Sequence, residues 1–221
     1  MTRRRTVIDL LWPDDSDEFA NIAKLFGANV VRSMLEATWA GYDSLRMQMI
    51  DRIDITMAED ELERTLTQLL EQLINDALTG EEPYYIQHGP YENETREPAP
   101  AQPPQYDIAF ILYSNRRIMW PLEAKVLKTD GTVSDYANSV KDNFLTGRYA
   151  PFVDSGAMLG YLLTGNASTT LMNISVALQE SFQQNSDFVD RPHQVSTHNR
   201  VPRYPRVKQG PFQCHHLIME M

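Results

Sequence analysis

The sequence predicts an α/β protein: a mixed β-sheet flanked by helices and preceded by an N-terminal helical extension. Three observations carry that expectation. Helical periodicity alternates with short apolar segments through the second half of the chain, two of those segments are joined by a turn signal and read as a hairpin, and the start of the chain has helical spacing alone. With 221 residues, 42% of them hydrophobic and 23% charged, the chain can bury one sizeable core.

Residues 16–52 read as two helices, with Ser16 or Asp17 as N-cap, Phe19, Ile22, Ala23 and Phe26 on one face, and Gly27 and Gly41 as interruptions. A stronger helix covers 58–78, where Leu62, Leu66, Leu69, Leu70, Leu73 and Ile74 recur at three and four and Gly80 acts as the stop. Pro90, Pro98, Pro100, Pro103 and Pro104 lie among charged residues, a composition that suits neither a central strand nor a helix and predicts a surface loop. The hairpin strands are 107–113 and 118–127, with Ser114-Asn115 between them. Pro121 points to an edge or a bulge in the second. Ser134 is expected to cap a helix whose stripe is Tyr136, Val140 and Phe144 and which ends at Gly147. A strand at 156–164, a helix at 168–182 and strands at 194–199 and 212–219 complete the order. Residues 1–56 are taken as the helical extension and 57–221 as the core.

Charge and cysteine usage narrow the function classes. The net charge of −10 argues against a protein that coats nucleic acid non-specifically. The acidity is N-terminal, because the first hundred residues hold 9 Lys/Arg against 20 Asp/Glu and the remainder 11 against 10. From 191 to 219 the charged residues are Arg191, Arg200, Arg203, Arg206 and Lys208, which form either a phosphate-facing patch or a solvated basic loop. One cysteine, Cys214, excludes a disulfide scaffold or zinc finger and is expected to be buried and inert. No apolar run is long enough to span a membrane, and Arg3-Arg4-Arg5 leads into Asp9, Asp14 and Asp15 rather than a signal-peptide core, so the expected location is the cytoplasm.

The chemistry concentrates on the hairpin. Alternate side chains of a strand share a face, so Glu123 and Lys125 project together, and pairing brings Asp107 beside Glu123. Converging carboxylates call for a hard cation such as Mg²⁺, and a lysine beside the ion can orient a nucleophile or stabilise developing negative charge. The other reading of the same residues is a surface strand with a cross-strand ion pair. His215 and His216 are adjacent and face opposite ways in a regular strand, so they cannot chelate one ion. With His198 they are expected to be structural or to contact phosphate.

Asp107, followed after a hairpin by Glu123-Ala124-Lys125 at the end of a strand and preceded by a helix, resembles the motif of the PD-(D/E)XK nuclease superfamily. Phe144-Leu145-Thr146-Gly147-Arg148-Tyr149-Ala150, Ala157-Met158-Leu159-Gly160-Tyr161, Ser196-Thr197-His198-Asn199-Arg200 and Cys214-His215-His216 are similar to stretches of small nucleases of bacterial defence against phage. The resemblance covers roughly 59–221, and Tyr106 stands where the motif has proline. It implies a restriction-endonuclease-like fold and a Mg²⁺-dependent endonuclease, with Mn²⁺ as substitute, acting on DNA or on RNA. Asp107, Glu123 and the Ala124 carbonyl would hold the ion, Lys125 would assist the attacking water, and an acid of the preceding helix would complete the site. Glu63 is the choice there, with Glu61 and Glu71 as competitors. Lys141, Arg148 and Arg200 are the expected nucleic-acid contacts, and the acidic N-terminal part is expected to dock a partner subunit. A non-catalytic scaffold or recognition subunit of the same fold is the alternative.

Overall fold

Gly27 starts a helix rather than breaking one, and Gly41 breaks nothing. In the computed structural model, which describes residues 22–49, 52–96, 102–204 and 207–221, helix α1 (Ala28–Gln48) runs uninterrupted through Gly41. A β-carbon at Gly41 would lie 2.7 Å from Ile74 Cγ1 and 2.9 Å from Ile74 N. The glycine is therefore where helix α2 (Glu59–Ala77) crosses α1 at close range, a packing reason that periodicity alone does not separate from a break. Ser16, Asp17, Phe19, Pro98, Pro100 and Arg206 lie outside the described residues.

α2 buries Leu62, Leu66, Leu70 and Ile74 as its spacing predicts, and Glu59, Asp60 and Glu61 place negative charge at its N-terminal dipole end. α1 contributes Met34, Leu35, Trp39, Tyr42 and Leu45 to the same continuous apolar cluster, which extends into the sheet.

The sheet has seven strands: β1 (Tyr84–His88), β2 (Ile108–Leu112), β3 (Met119–Leu127), β4 (Ser155–Leu162), β5 (Gln183–Gln184), β6 (His193–Asn199) and β7 (Pro211–Glu220), in the order β1-β2-β3-β4-β7-β6-β5. β3–β4 and β4–β7 are parallel and the other neighbours antiparallel, so the sheet is mixed as expected. Every residue of β4 is buried, in keeping with its near-continuous apolar run. β1 and β5 were not anticipated, since five and two residues are too short to display a period. Pro121 does not put β3 at an edge. It pairs with Ala109 of β2, whereas pairing with β4 begins one residue later at Leu122, so its missing N–H falls outside the β4 ladder.

The β3–β4 crossover contains helix α3 (Ser134–Ser139), which continues into a π-helical turn (Val140–Phe144), with Tyr136, Val140 and Phe144 buried. Ser134 is its first residue, not its cap: Val133 holds that position and no side chain caps it. Helix α4 (Ala167–Leu178) is capped by Asn166, whose side chain accepts from Thr169 N, and ends at Gln179 in the left-handed region (φ 58°), short of the expected 182. Among the described residues, no helix is long and apolar enough to cross a membrane.

Candidate functional site

β2 begins at Ile108, opposite Leu122, so β3 from Glu123 onward has no partner on the β2 side. Two carboxylates take the outward amides there. Asp107 Oδ2 accepts from Ala124 N at 2.7 Å, and Glu63 Oε2, reaching down from α2, accepts from Val126 N at 3.2 Å. The end of the hairpin ladder thus collects acids because it leaves backbone donors unpaired.

Glu123 and Lys125 share a face by strand parity, with Lys125 Nζ 3.6 Å from Glu123 Oε1. Nζ also donates to Glu63 Oε1 at 2.8 Å and to the Ala124 carbonyl at 2.6 Å. Glu63 is therefore the α2 acid that reaches the site. Glu61 is exposed, and Glu71 lies toward His88.

Glu123 is 7% exposed, and its Oε2 has no hydrogen-bond partner among the described residues. Burial pushes its carboxyl well above the ordinary range and the adjoining Asp107 carboxylate pushes it further, while Lys125 opposes both. Two abutting carboxylates need a shared proton or a cation between them. Burial likewise raises Glu63, against the pull of Lys125. Burial opposes the charge on Lys125 itself, but Glu123, Asp107 and Glu63 together outweigh it and hold the ammonium well above its ordinary value. Lys125 is a fixed donor, not a base.

Sequence reasoning missed Tyr149. Its phenol is buried near Glu123 and Asp107, donates to the Gln105 carbonyl at 2.6 Å, and is raised by burial and by those two charges. It packs edge-on against Tyr106 at 4.6 Å, and Tyr106 donates to the fully buried Glu92 at 2.5 Å. The left-handed Gly147 (φ 73°), two residues before an aromatic, was the available signal.

An open depression of about 390 Å³ lies over Glu63 and Lys125, with exposed Arg148 on its rim. Glu59, Asp60, Asp135 and Asp142 also line it, so its charge is predominantly negative.

Of the expected phosphate contacts Lys141, Arg148 and Arg200, Arg200 is corrected. Arg200 is buried, its guanidinium donating to the carbonyls of Phe144, Tyr149, Ala150 and Val153 and lying 3.7 Å over Phe212, so it serves the fold from inside and not a phosphate at the surface. Lys141 donates to the Ala177 carbonyl at the C-terminal end of α4 and does not line the depression. In the basic stretch Arg191 pairs with Asp43 and Lys208 with Asp154, while Arg203 is exposed.

His215 and His216 do face opposite ways. His215 meets His193 at 3.1 Å on the α1 side, and His216 joins Tyr136 at 3.0 Å and Ser196 at 2.8 Å on the other. Ser196 also bonds His198 at 2.6 Å. Burial lowers all four histidines, His193 to about 3 and His215 to about 4. It raises Glu92 to about 8. The unfolded chain binds protons that the buried histidines refuse, so stability falls with pH below the ordinary histidine value of 6.5. Glu92 acts oppositely, losing stability as pH rises from 4.5 toward about 8. Urea unfolding across pH is expected to show stability falling below about pH 6.5, where the four histidines outnumber Glu92, and falling most steeply below about pH 4.5, where Glu92 no longer opposes them. Flat stability down to pH 4 would contradict a neutral histidine core. Cys214 is buried as expected, and burial pushes its thiol up.

Comparison with protein-family models, curated proteins and solved structures finds no match to this chain.

Proposed function

We propose that this chain is a divalent-cation-dependent endonuclease that hydrolyses phosphodiester bonds in DNA, with Asp107 and Glu123 holding the ion and Lys125 assisting the attack. The supporting observation is the buried Glu123 Oε2, without a hydrogen-bond partner among the described residues and close to the Asp107 carboxylate. A hard cation is what compensates converging carboxylates at a partly open strand end. Among the described residues no three His, Cys, Asp or Glu side chains form a metal cluster. Mg²⁺ suits two acids nonetheless, since it binds through one or two carboxylates and keeps several waters. Mn²⁺ would use the same oxygens, and Glu63 and the Ala124 carbonyl are the further oxygens on this edge.

When bound, such an ion neutralises charge on the phosphodiester and lowers the pKa of a water it holds. The side chains do the rest. Lys125, whose charged form the neighbouring acids favour, donates to the attacking water or to the phosphate oxygen on which charge develops. Arg148 on the rim is placed to meet a backbone phosphate. The acidic rim weakens attraction of a polyanion, so tight DNA binding, though not cleavage itself, is assigned to a partner subunit, in keeping with the resemblance to phage-defence nucleases.

One observation favours the second reading, a non-catalytic scaffold or recognition subunit. Lys125 Nζ already holds the Glu63 and Ala124 oxygens, so the ammonium itself stands where a cation would be shared. Thermal unfolding with Mg²⁺ or Ca²⁺ separates the two. The nuclease reading predicts a rise of about 5–10 °C at saturating cation for the wild type, abolished in Glu123→Gln. A scaffold with an ammonium-filled site shows no shift in either protein.

A further inference from the structure

A second cavity, of about 750 Å³, lies between the N-terminal end of α1 and the face of the sheet formed by β4, β7 and β6. Its volume is that of a small-molecule site. Ser155 and His215, 5% and 6% exposed, line it from the sheet side.

Two indole groups set both of these side chains as donors. Trp120 Nε1 donates to Ser155 Oγ at 2.9 Å, leaving the serine O–H free to donate elsewhere. Trp39 Nε1 donates to His193 Nδ1 at 3.3 Å, so neutral His193 carries its proton on Nε2 and donates it to His215 Nδ1 at 3.1 Å. The Asn185 amide approaches the same His193 nitrogen only at 3.5 Å. Neutral His215 must then carry its own proton on Nε2, on the wall of the cavity. A serine O–H and an imidazole N–H, both nine-tenths buried, are thus held as donors on that wall.

The opposite wall supplies more donors. Gly27, at the α1 N-cap, provides no side-chain cap, the first turn carries no acidic residue, and the Ala28 and Asn29 amides have no acceptor among the described residues. At the rim Lys208 pairs with Asp154 and Arg32 with Glu36, so the recognition falls to the donors of the two walls. Phe26, Val31 and Leu35 supply an apolar side for the body of a ligand.

We infer that this cavity binds a small phosphate monoester, its phosphate oxygens meeting Ser155 and His215 on the sheet side and the α1 N-terminus on the other. Donors arriving from two walls suit three tetrahedrally disposed oxygens better than the planar pair of a carboxylate. The site is separate from Asp107 and Glu123, and the inference does not depend on the nuclease reading.

The test uses calorimetric titration of the full chain with adenosine 5′-monophosphate, inorganic phosphate and, as the planar control, succinate. Gly27→Asp is the informative variant. A β-carbon there meets only Lys24 O, at 3.5 Å, and the backbone is extended (φ −72°, ψ 171°), so the aspartate fits as an N-cap and its charge occupies the place of the phosphate. Expected are binding of the monophosphate and of inorganic phosphate by the wild type but not of succinate, and affinity reduced by about tenfold or more in both Gly27→Asp and Ser155→Ala. Gly27→Asp should melt no lower than the wild type, which separates lost binding from lost folding. The inference is overturned if neither phosphate compound binds at millimolar concentration, if succinate binds equally, or if Gly27→Asp binds as the wild type does.

Discussion

Lys125→Ala is expected to lower phosphodiester cleavage by at least about 100-fold while leaving the fold intact. The lysine lies at the junction of every charged group at the site, 2.8 Å from Glu63 and 3.6 Å from Glu123, and its ammonium is held charged by its neighbours. Removing it eliminates the donor that meets charge developing on phosphate and leaves Glu63 and Glu123 mutually repulsive. The stability effect is small by comparison, because the acids can take up a proton or a cation. Cleavage assays at saturating Mg²⁺ measure the loss. Lys125→Arg should recover little, since a planar guanidinium cannot occupy the compact position between the Glu63 oxygen and the Ala124 carbonyl. Cleavage unaffected by Lys125→Ala would remove the lysine from the chemistry.

Arg200→Met carries the largest expected stability change, a loss of about 3–5 kcal/mol. The guanidinium serves four buried carbonyls, those of Phe144, Tyr149, Ala150 and Val153, and covers the Phe212 ring. Methionine fills part of the volume and satisfies none of the carbonyls. Because Tyr149 and Ala150 are among the groups released, the segment behind Glu123 should loosen, so cleavage falls together with the urea midpoint. A phosphate-binding arginine behaves in the opposite way, with weaker nucleic-acid binding, a shallower salt dependence and an unchanged midpoint.

The contrast between these two residues shows what sequence could convey. Asp107, Glu123 and Lys125 were legible because strand parity and a hairpin are local rules, and the register Ile108↔Leu122 brings them together through no more than those rules. Glu63 was legible in phase only. Its selection over Glu61 and Glu71 depends on how α2 rotates against β3, a tertiary quantity. Arg200 was read as a surface cation because charge is the only property a sequence displays, whereas its partners, a set of loop carbonyls, are backbone groups that every sequence shares. Gly41 failed for a related reason, since close helix crossing and helix breaking use the same residue. The histidine network was half legible. Parity separated His215 from His216, but nothing local indicated that Trp39 and Tyr136 would approach them from opposite faces of the sheet.

On the proposed reading the carboxylates of Asp107 and Glu123 hold a cation that supports hydrolysis of nucleic acid. This reading is tested most directly by incubating the purified chain with plasmid, linear and single-stranded DNA and with RNA, each in Mg²⁺, in Mn²⁺ and in EDTA. Expected are cleavage of DNA in both metals, none in EDTA, and none by Asp107→Ala in any condition. Cleavage that persists in EDTA or in Asp107→Ala, or intact substrates under every condition even though Mg²⁺ stabilises the wild type, would contradict it.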